Sequence, residues 1–249
     1  MRTTFPARLA FLPLALLLLA PAGCVKLSSV INIDAKGGGT ASLNASIGTD
    51  VMAALTELGK SGGNGMVGEV PDLAAIDRAW VEKRATGHGV TVTKFARATA
   101  GGRETLDLAV SFTDLKGLSW MLHDLSASSS GGDGLGLYAG TGGNLELRSA
   151  RYDFPAAPKK AAATPAQPTP EQAQRQMELA GKLMGAIAEM DITMKVTVPG
   201  DIVSSNAPKV EGRTSTWTIN ANNMMDQQAD LSPRIVFAGK GLAIKPQAE

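Results

Sequence analysis

Apolar and polar residues alternate most cleanly over residues 40–47, where Ala41, Leu43, Ala45 and Ile47 are separated by Thr40, Ser42, Asn44 and Ser46. A period of two puts one set on a buried face and the other in water, so the pattern predicts a half-buried strand. Upstream, Val25, Leu27, Ile31 and Ile33 alternate more loosely, and Lys36-Gly37-Gly38-Gly39 supplies a tight connection between the two. A hairpin is predicted there. Thr49 or Asp50 can cap a helix over 51–58 with Met52, Leu55 and Leu58 on one side, and Gly59 ends it.

The same order returns further on. Asp72 starts a predicted helix in which Leu73, Ile76 and Trp80 share a face, with Gly87 beyond its end. Residues 90–98 read as a strand and Gly101-Gly102 as its turn. Leu106, Leu108, Val110 and Phe112 form the inward set of the next strand, and Asp114 opens a helix striped by Leu115, Leu118, Leu122 and Leu125. Strand, glycine turn, strand and helix thus occur at 25–60 and again at 90–126, an architectural echo with little shared sequence.

Residues 126–143 are dominated by Ser and Gly and predict a mobile loop. A strand resumes over 145–154, with Leu145 and Leu147 on one face and Tyr152 and Phe154 on the other. A bulge near Ser149 would reconcile the change of phase. The Pro/Ala-rich stretch 155–170 predicts an extended linker loop. Thr169-Pro170-Glu171-Gln172 then combines an N-cap, a proline at N1 and a glutamine at N3, which predicts a capped helix. Its apolar face is Ala180, Leu183, Met184 and Ile187, and it should end near Met190. Ile192, Met194, Val196 and Val198 alternate into Pro199-Gly200. Further short strands are predicted at 202–206, at 214–219 around Trp217, and at 235–237, with a turn at 210–213 and a weakly helical stretch at 220–231.

Adjacent strands are mostly joined by tight turns. The expected fold class is therefore α+β, a largely antiparallel sheet of about 6–8 strands with 3–4 helices and long flexible loops.

The first 24 residues change the picture. Arg2 and Arg8 form a basic start, residues 9–20 are apolar but for Pro13, and Ala22-Gly23-Cys24 follow. This is the three-part plan of a secretory signal, and the apolar run falls short of the about 20 residues that a spanning helix needs. Two processing routes fit. Pro21-Ala22-Gly23-Cys24 resembles a bacterial lipobox, with Pro21 standing where an aliphatic residue is preferred; diacylglycerol would be attached to the Cys24 sulfur and cleavage would precede it. Ala20-Pro21-Ala22 also fits ordinary signal peptidase, which would leave a free thiol near the new terminus. Lipidation is the favoured route, because a lone exposed thiol is a liability in an oxidising compartment. The expected division is then residues 1–23 as signal peptide and 24–249 as a single ectodomain. The first strand starts at Val25 with no spacer, so the Lys36–Gly39 turn should stand about 30 Å from the membrane at ~3.3 Å per residue.

Composition bounds the rest. There are 24 Lys+Arg against 23 Asp+Glu, and loss of the leader removes Arg2 and Arg8. The near-neutral balance excludes a nucleic-acid footprint. Aromatic residues make up 4 % of the chain and Cys24 is its single cysteine, so disulfides are excluded and aliphatic burial must hold the core.

A search for chemistry returns little. His88 and His123 are the two histidines, too few for a multi-histidine metal site; one reads as a turn residue, the other as a helix boundary residue. Gly59-Lys60-Ser61 mimics the end of a phosphate loop, but the spacing requires glycine where Ala54 stands and the triplet follows a helix. Gly134-x-Gly136 lacks the strand and helix of a dinucleotide site. Glu69, Asp72 and Asp77 read as a solvated helix start. Met177, Met184, Met190, Met194, Met224 and Met225 could form a soft-metal site or an adaptable lipid-binding surface, although helical spacing favours packing in the core. Trp217 reads as a core anchor in preference to a sugar-stacking platform. No catalytic residue, cofactor or metal site is expected.

Two runs of residues, Gly23-Cys24-Val25-Lys26 with Ile33-Asp34-Ala35-Lys36-Gly37-Gly38-Gly39-Thr40, and Val196-Thr197-Val198-Pro199-Gly200 with Ser205-Asn206 and Thr216-Trp217-Thr218, resemble the LppM-like bacterial lipoprotein domain family, domains of unknown function that begin at a lipobox. The resemblance covers both ends of the mature chain and not residues 100–170. It implies an α+β envelope domain for which glycolipid binding has been proposed. Many members carry a C-terminal membrane helix; after Phe237 none is expected here, so anchoring would rest on Cys24. The expected function is a lipid-anchored, non-enzymatic binding or interaction module of the bacterial cell envelope, for lipid or glycolipid. A structural or assembly lipoprotein docking other envelope proteins is the alternative, and an enzyme is the less favoured third.

Overall fold

The computed structural model describes residues 25–60, 76–126, 133–152, 169–224 and 232–247. Its organising strand is β1 (Val25–Ile33), which pairs antiparallel with β2 (Gly39–Gly48) from Val25↔Ile47 to Ile33↔Gly39. β2 pairs with β4 (Arg103–Phe112), and β4 with the edge strand β3 (Val90–Ala100). On its other side β1 runs parallel to β7 (Asp191–Thr197), which is followed by β10 (Thr214–Asn220) and β9 (Lys209–Glu211). Six of these seven strands lie where alternation or turns predict strands. β9 occupies the first half of the expected turn at 210–213.

The architecture is α+β. A second sheet, with order β5 (Asp133–Ala139), β6 (Asn144–Arg151), β11 (Ile235–Ala238) and β8 (Ile202–Ser205), is antiparallel throughout. Both sheets feed one core. Ile31, Ile33, Val110, Phe112, Val196 and Trp217 of the first share a buried cluster with Leu137, Leu145, Leu147, Ile235 and Phe237 of the second. Each such side chain contributes about 1.5–3 kcal/mol of burial. A polar pin joins the sheets inside this core: Ser215 Oγ, fully buried, donates to Ser205 Oγ at 3.0 Å.

The two hairpin–helix units explain why the ends of the sheet differ. β2 and β4 are antiparallel neighbours, so α1 (Thr49–Lys60) and α3 (Leu115–Ser126) leave from opposite poles. α3 seals the pole at Ile33 and Phe112, burying Leu115, Leu118 and Met121. The expected stripe placed Leu122 inward, but it is 41 % exposed. The helix turns Ser119 toward β5 instead: Ser119 Oγ accepts from the Leu135 N–H at 3.0 Å and faces the Leu135 carbonyl at 3.4 Å. That covers the open edge of the second sheet.

This contact also accounts for a strand where a loop was expected. The Ser/Gly stretch 126–143 contains β5, and Gly134 is needed because a Cβ there would lie 2.4 Å from Ser119. Here glycine signals close approach and not a turn. The bulge expected near Ser149 is absent from the β5–β6 register. Leu145 and Leu147 are buried on one face and Ala150 on the other without a change of phase, and Phe154 lies outside the described residues.

Two further helices sit differently from expectation. α2 (Arg78–Ala85) is capped by Asp77, whose carboxylate accepts from the Trp80 N–H at 2.7 Å; Asp72, where a helix start was expected, lies outside the described residues. α4 (Pro170–Ala188) has the full capping box at Thr169 and Gln172. It buries Leu179 and Ala186, while Met177 and Met184 are 70 % and 58 % exposed, so Met184 does not belong to the core face. α5 (Ala221–Met224) is a single turn.

Candidate functional site

One pole of the inner sheet face is the end where β1 begins. Ile31, Ile33, Val110, Phe112 and Val196 are buried at the other end, whereas Val25, Leu27, Ile47, Leu106, Ile192 and Ile219 are only half-buried. The pairings Val25↔Ile47, Ala45↔Leu106, Leu27↔Ile192 and Ile192↔Ile219 place these six on one face. They form an apolar strip that the helices cover incompletely. Its deepest point is a cleft of about 50 Å³ lined by Ala45, Ile47, Met52, Ile76 and Leu106, with Thr105, Arg97 and Glu104 completing the wall. Arg97 and Glu104 pair with each other across adjacent strands, so the wall's charges are internally neutralised and the remaining lining is apolar.

α1 supplies Met52 to the cleft and is held in place by α4. Arg175 donates to both carboxylate oxygens of Glu57, Nε to Oε1 at 2.8 Å and Nη2 to Oε2 at 2.9 Å, and also reaches Glu178 at 3.1 Å. The hydrogen bonds from Arg175 hold the Glu57 carboxyl below its ordinary value. Glu178 is lowered as well, first by its hydrogen bond from Lys182 and then by the Arg175 charge. A lowered folded-state value means that the clasp stabilises above the ordinary carboxylate range and fades as pH falls through it. Because the pair is exposed, the effect is modest and weakened by salt. Protection of the α1 amides, measured as exchange relative to the unstructured rate at the same pH, should therefore fall on acidification or added salt, and Glu57→Gln should reduce that pH dependence.

The other residues singled out in the sequence take structural places. His88 stacks on Trp120 with ring centroids 4.4 Å apart and planes at 21°. Its carbonyl presses on α3 so closely that a Cβ on Gly117 would lie 1.9 Å away. His88 therefore joins the α2–β3 turn to α3. His123 is half-buried on α3. Among the described residues no three His, Cys, Asp or Glu side chains gather as metal ligands. Asp77 is spent as a helix cap. Gly59 and Lys60 end α1, and Gly134 and Gly136 belong to β5. Trp217 is 1 % exposed beneath the second sheet, which makes it a core anchor. Met194, its partner across β7 and β10, is half-buried. Cys24, Glu69, Asp72 and Met225 lie outside the described residues, as does most of the 155–170 loop. No helix among the described residues is long and apolar enough to cross a membrane.

Sequence reasoning did not single out Ile76, Arg97 or Glu104 as cleft residues. Arg97 and Glu104 were legible only as members of a hairpin joined at Gly101-Gly102.

No family model matches the chain, and no curated protein matches it. Among solved structures, the folded domain of Mycobacterium tuberculosis LppM, determined by NMR, is similar over 86 % of this chain and 89 % of that one, at 13 % identity and a TM-score of 0.39.

Proposed function

We propose that the chain is a lipid-anchored, non-enzymatic binding module of the bacterial cell envelope, and that its ligand is the acyl part of an envelope lipid or glycolipid. The observation that carries this reading is the half-open apolar strip at the pole where β1 begins. It surrounds the residue that directly follows Cys24, so a chain tethered through Cys24 presents the strip to the bilayer that holds it. The cleft is shallow. It suits a stretch of acyl chain lying along Ile47, Met52 and Leu106, with most of the lipid remaining outside. Apolar contact of this kind contributes about 25 cal/mol per Å² removed from water, and the neutralised Arg97–Glu104 pair at the wall adds no charge that must be desolvated alone.

Titration of the full chain in detergent with dansyl-labelled undecanoic acid tests the reading. A saturable rise in fluorescence is expected, weakened at least about 5-fold by Ile47→Gln combined with Leu106→Gln, since each replaces half-buried apolar surface by an amide. Val210→Gln, on the exposed β9 strand, should leave the titration unchanged. Equal affinity in the cleft variant and the parent chain would remove the cleft from the proposal.

A further inference from the structure

A second cavity, of about 280 Å³, lies at the pole opposite the anchor. It is lined by residues from four separate segments: Lys36 and Gly37 of the β1–β2 turn, Asp114 and Leu115 at the start of α3, Leu137 of β5, and 243–247 of the C-terminal segment. The volume is at the lower end of the range that holds small molecules.

The walls are fixed by the backbone. The C-terminal segment crosses the cavity mouth as a strap, tied by the Ala243 N–H to the Ala35 carbonyl at 2.8 Å and by the Gln247 N–H to the Leu137 carbonyl at 2.7 Å. Gln247 Nε2 donates to the Tyr152 hydroxyl at 2.8 Å, and that hydroxyl donates to the Leu135 carbonyl at 2.7 Å. Burial raises the Tyr152 phenol above its ordinary value, so it remains a donor. On the opposite wall the turn is closed by Asp34, whose Oδ1 accepts from the Lys36 and Gly38 N–H groups.

Charge in the cavity is unevenly committed. The two nearby carboxylates are already engaged: Asp34 in the turn, and Asp114 as the cap of α3, accepting from the Gly117 N–H at 2.7 Å. The two ammonium groups, on Lys36 and Lys245, are in no ion pair or hydrogen bond among the described residues. Beneath them the floor is apolar, with Leu115 and Leu137 buried and Ile244 packed against the core. Unpaired cations at the rim and an apolar floor complement an anionic head on a short apolar body.

We propose that this cavity binds a small free organic anion, its carboxylate or phosphate head facing Lys36 and Lys245 and its apolar body lying on Leu115, Leu137 and Ile244. The site does not depend on the acyl-binding reading. β1 separates the two by about 30 Å at ~3.3 Å per residue, and that distance also argues for a soluble anion over a headgroup of the anchoring bilayer.

Backbone-amide NMR of the full chain in detergent, titrated with hexanoate and with hexyl phosphate, tests it. Saturable shifts are expected at Gly37, Leu137 and Ile244 and not at Leu106, with hexanol shifting none of them. Inorganic phosphate alone should bind at least about 10-fold more weakly than hexyl phosphate. Lys36→Gln with Lys245→Gln should weaken hexanoate binding at least about 10-fold, while Val210→Gln, on the exposed β9 strand, should leave it unchanged. The proposal is overturned by the absence of saturable shifts with either anion, by equal binding of hexanol, or by a double variant that binds as the parent does. Shifts produced only by phosphatidylglycerol vesicles would also overturn it.

Discussion

Replacing Cys24 by Ala is expected to move the protein from the membrane pellet to the soluble fraction almost completely. A diacylglyceryl group, with a third acyl chain where one is added, exceeds the single-chain threshold below which anchoring is marginal and reversible. The acyl strip adds little by itself, because its cleft encloses only about 50 Å³. Fractionation of cells expressing Cys24→Ala, with the mass of the N-terminal peptide of the parent chain, checks this. A terminal peptide beginning with diacylglyceryl cysteine is the expected parent form. A parent chain cleaved after Ala22 and already soluble would end the anchoring proposal, and with it the argument that the half-open strip faces a bilayer. It would leave the far cavity untouched.

The parts of the fold that were legible in the sequence are those decided within a few residues. Alternation over 40–47 defines β2 because side chains two apart share a face whatever the strand pairs with. Thr169 to Gln172 defines the start of α4 because a capping box satisfies its own donors locally, and both of its bonds are present. What was not legible depends on distant partners. β1 pairs in parallel with β7, and Lys26↔Asp191 joins positions that no local period relates. The strand character of 133–139 rests on Ser119 and β6, and its glycines look like loop residues until α3 is in place. Met121 displaced Leu122 from the α3 stripe, and Met184 fell outside the α4 core, because an apolar arc wider than one face leaves the choice to the neighbouring element. The same limit applies to the sites. Cys24 is marked by its leader, whereas Lys36 and Lys245 are ordinary surface lysines in sequence and become a pair only when the strap crosses the β1–β2 turn.

Trp217→Ala is expected to destabilise the fold by about 3–5 kcal/mol, the range for removing a buried large aromatic side chain, and Trp217→Phe to cost much less, about 1–2 kcal/mol. Trp217 is 1 % exposed, pairs with Met194 of β7 within its sheet and belongs to the core cluster that both sheets share, so its deletion leaves a void there. A loss of that size is a large fraction of a domain's stability. The contrast between the variants comes from the volume that phenylalanine keeps and alanine loses, and the small cost of the phenylalanine variant also reflects the indole N–H. Its Nε1 is buried without a hydrogen-bond partner, and an unsatisfied buried donor carries a penalty of about 1–3 kcal/mol. Phenylalanine removes that donor while retaining most of the apolar volume, so part of the lost packing is offset. Denaturant unfolding followed by circular dichroism measures both variants, provided the slope is unchanged between them. A loss for Trp217→Phe well above about 2 kcal/mol would mean that the indole N–H has a bonded partner in solution, a buried water being the group of suitable size. A small loss for Ala would instead separate the two sheets energetically, and the shared core centred on Trp217 and Phe237 would no longer account for the stability of the fold.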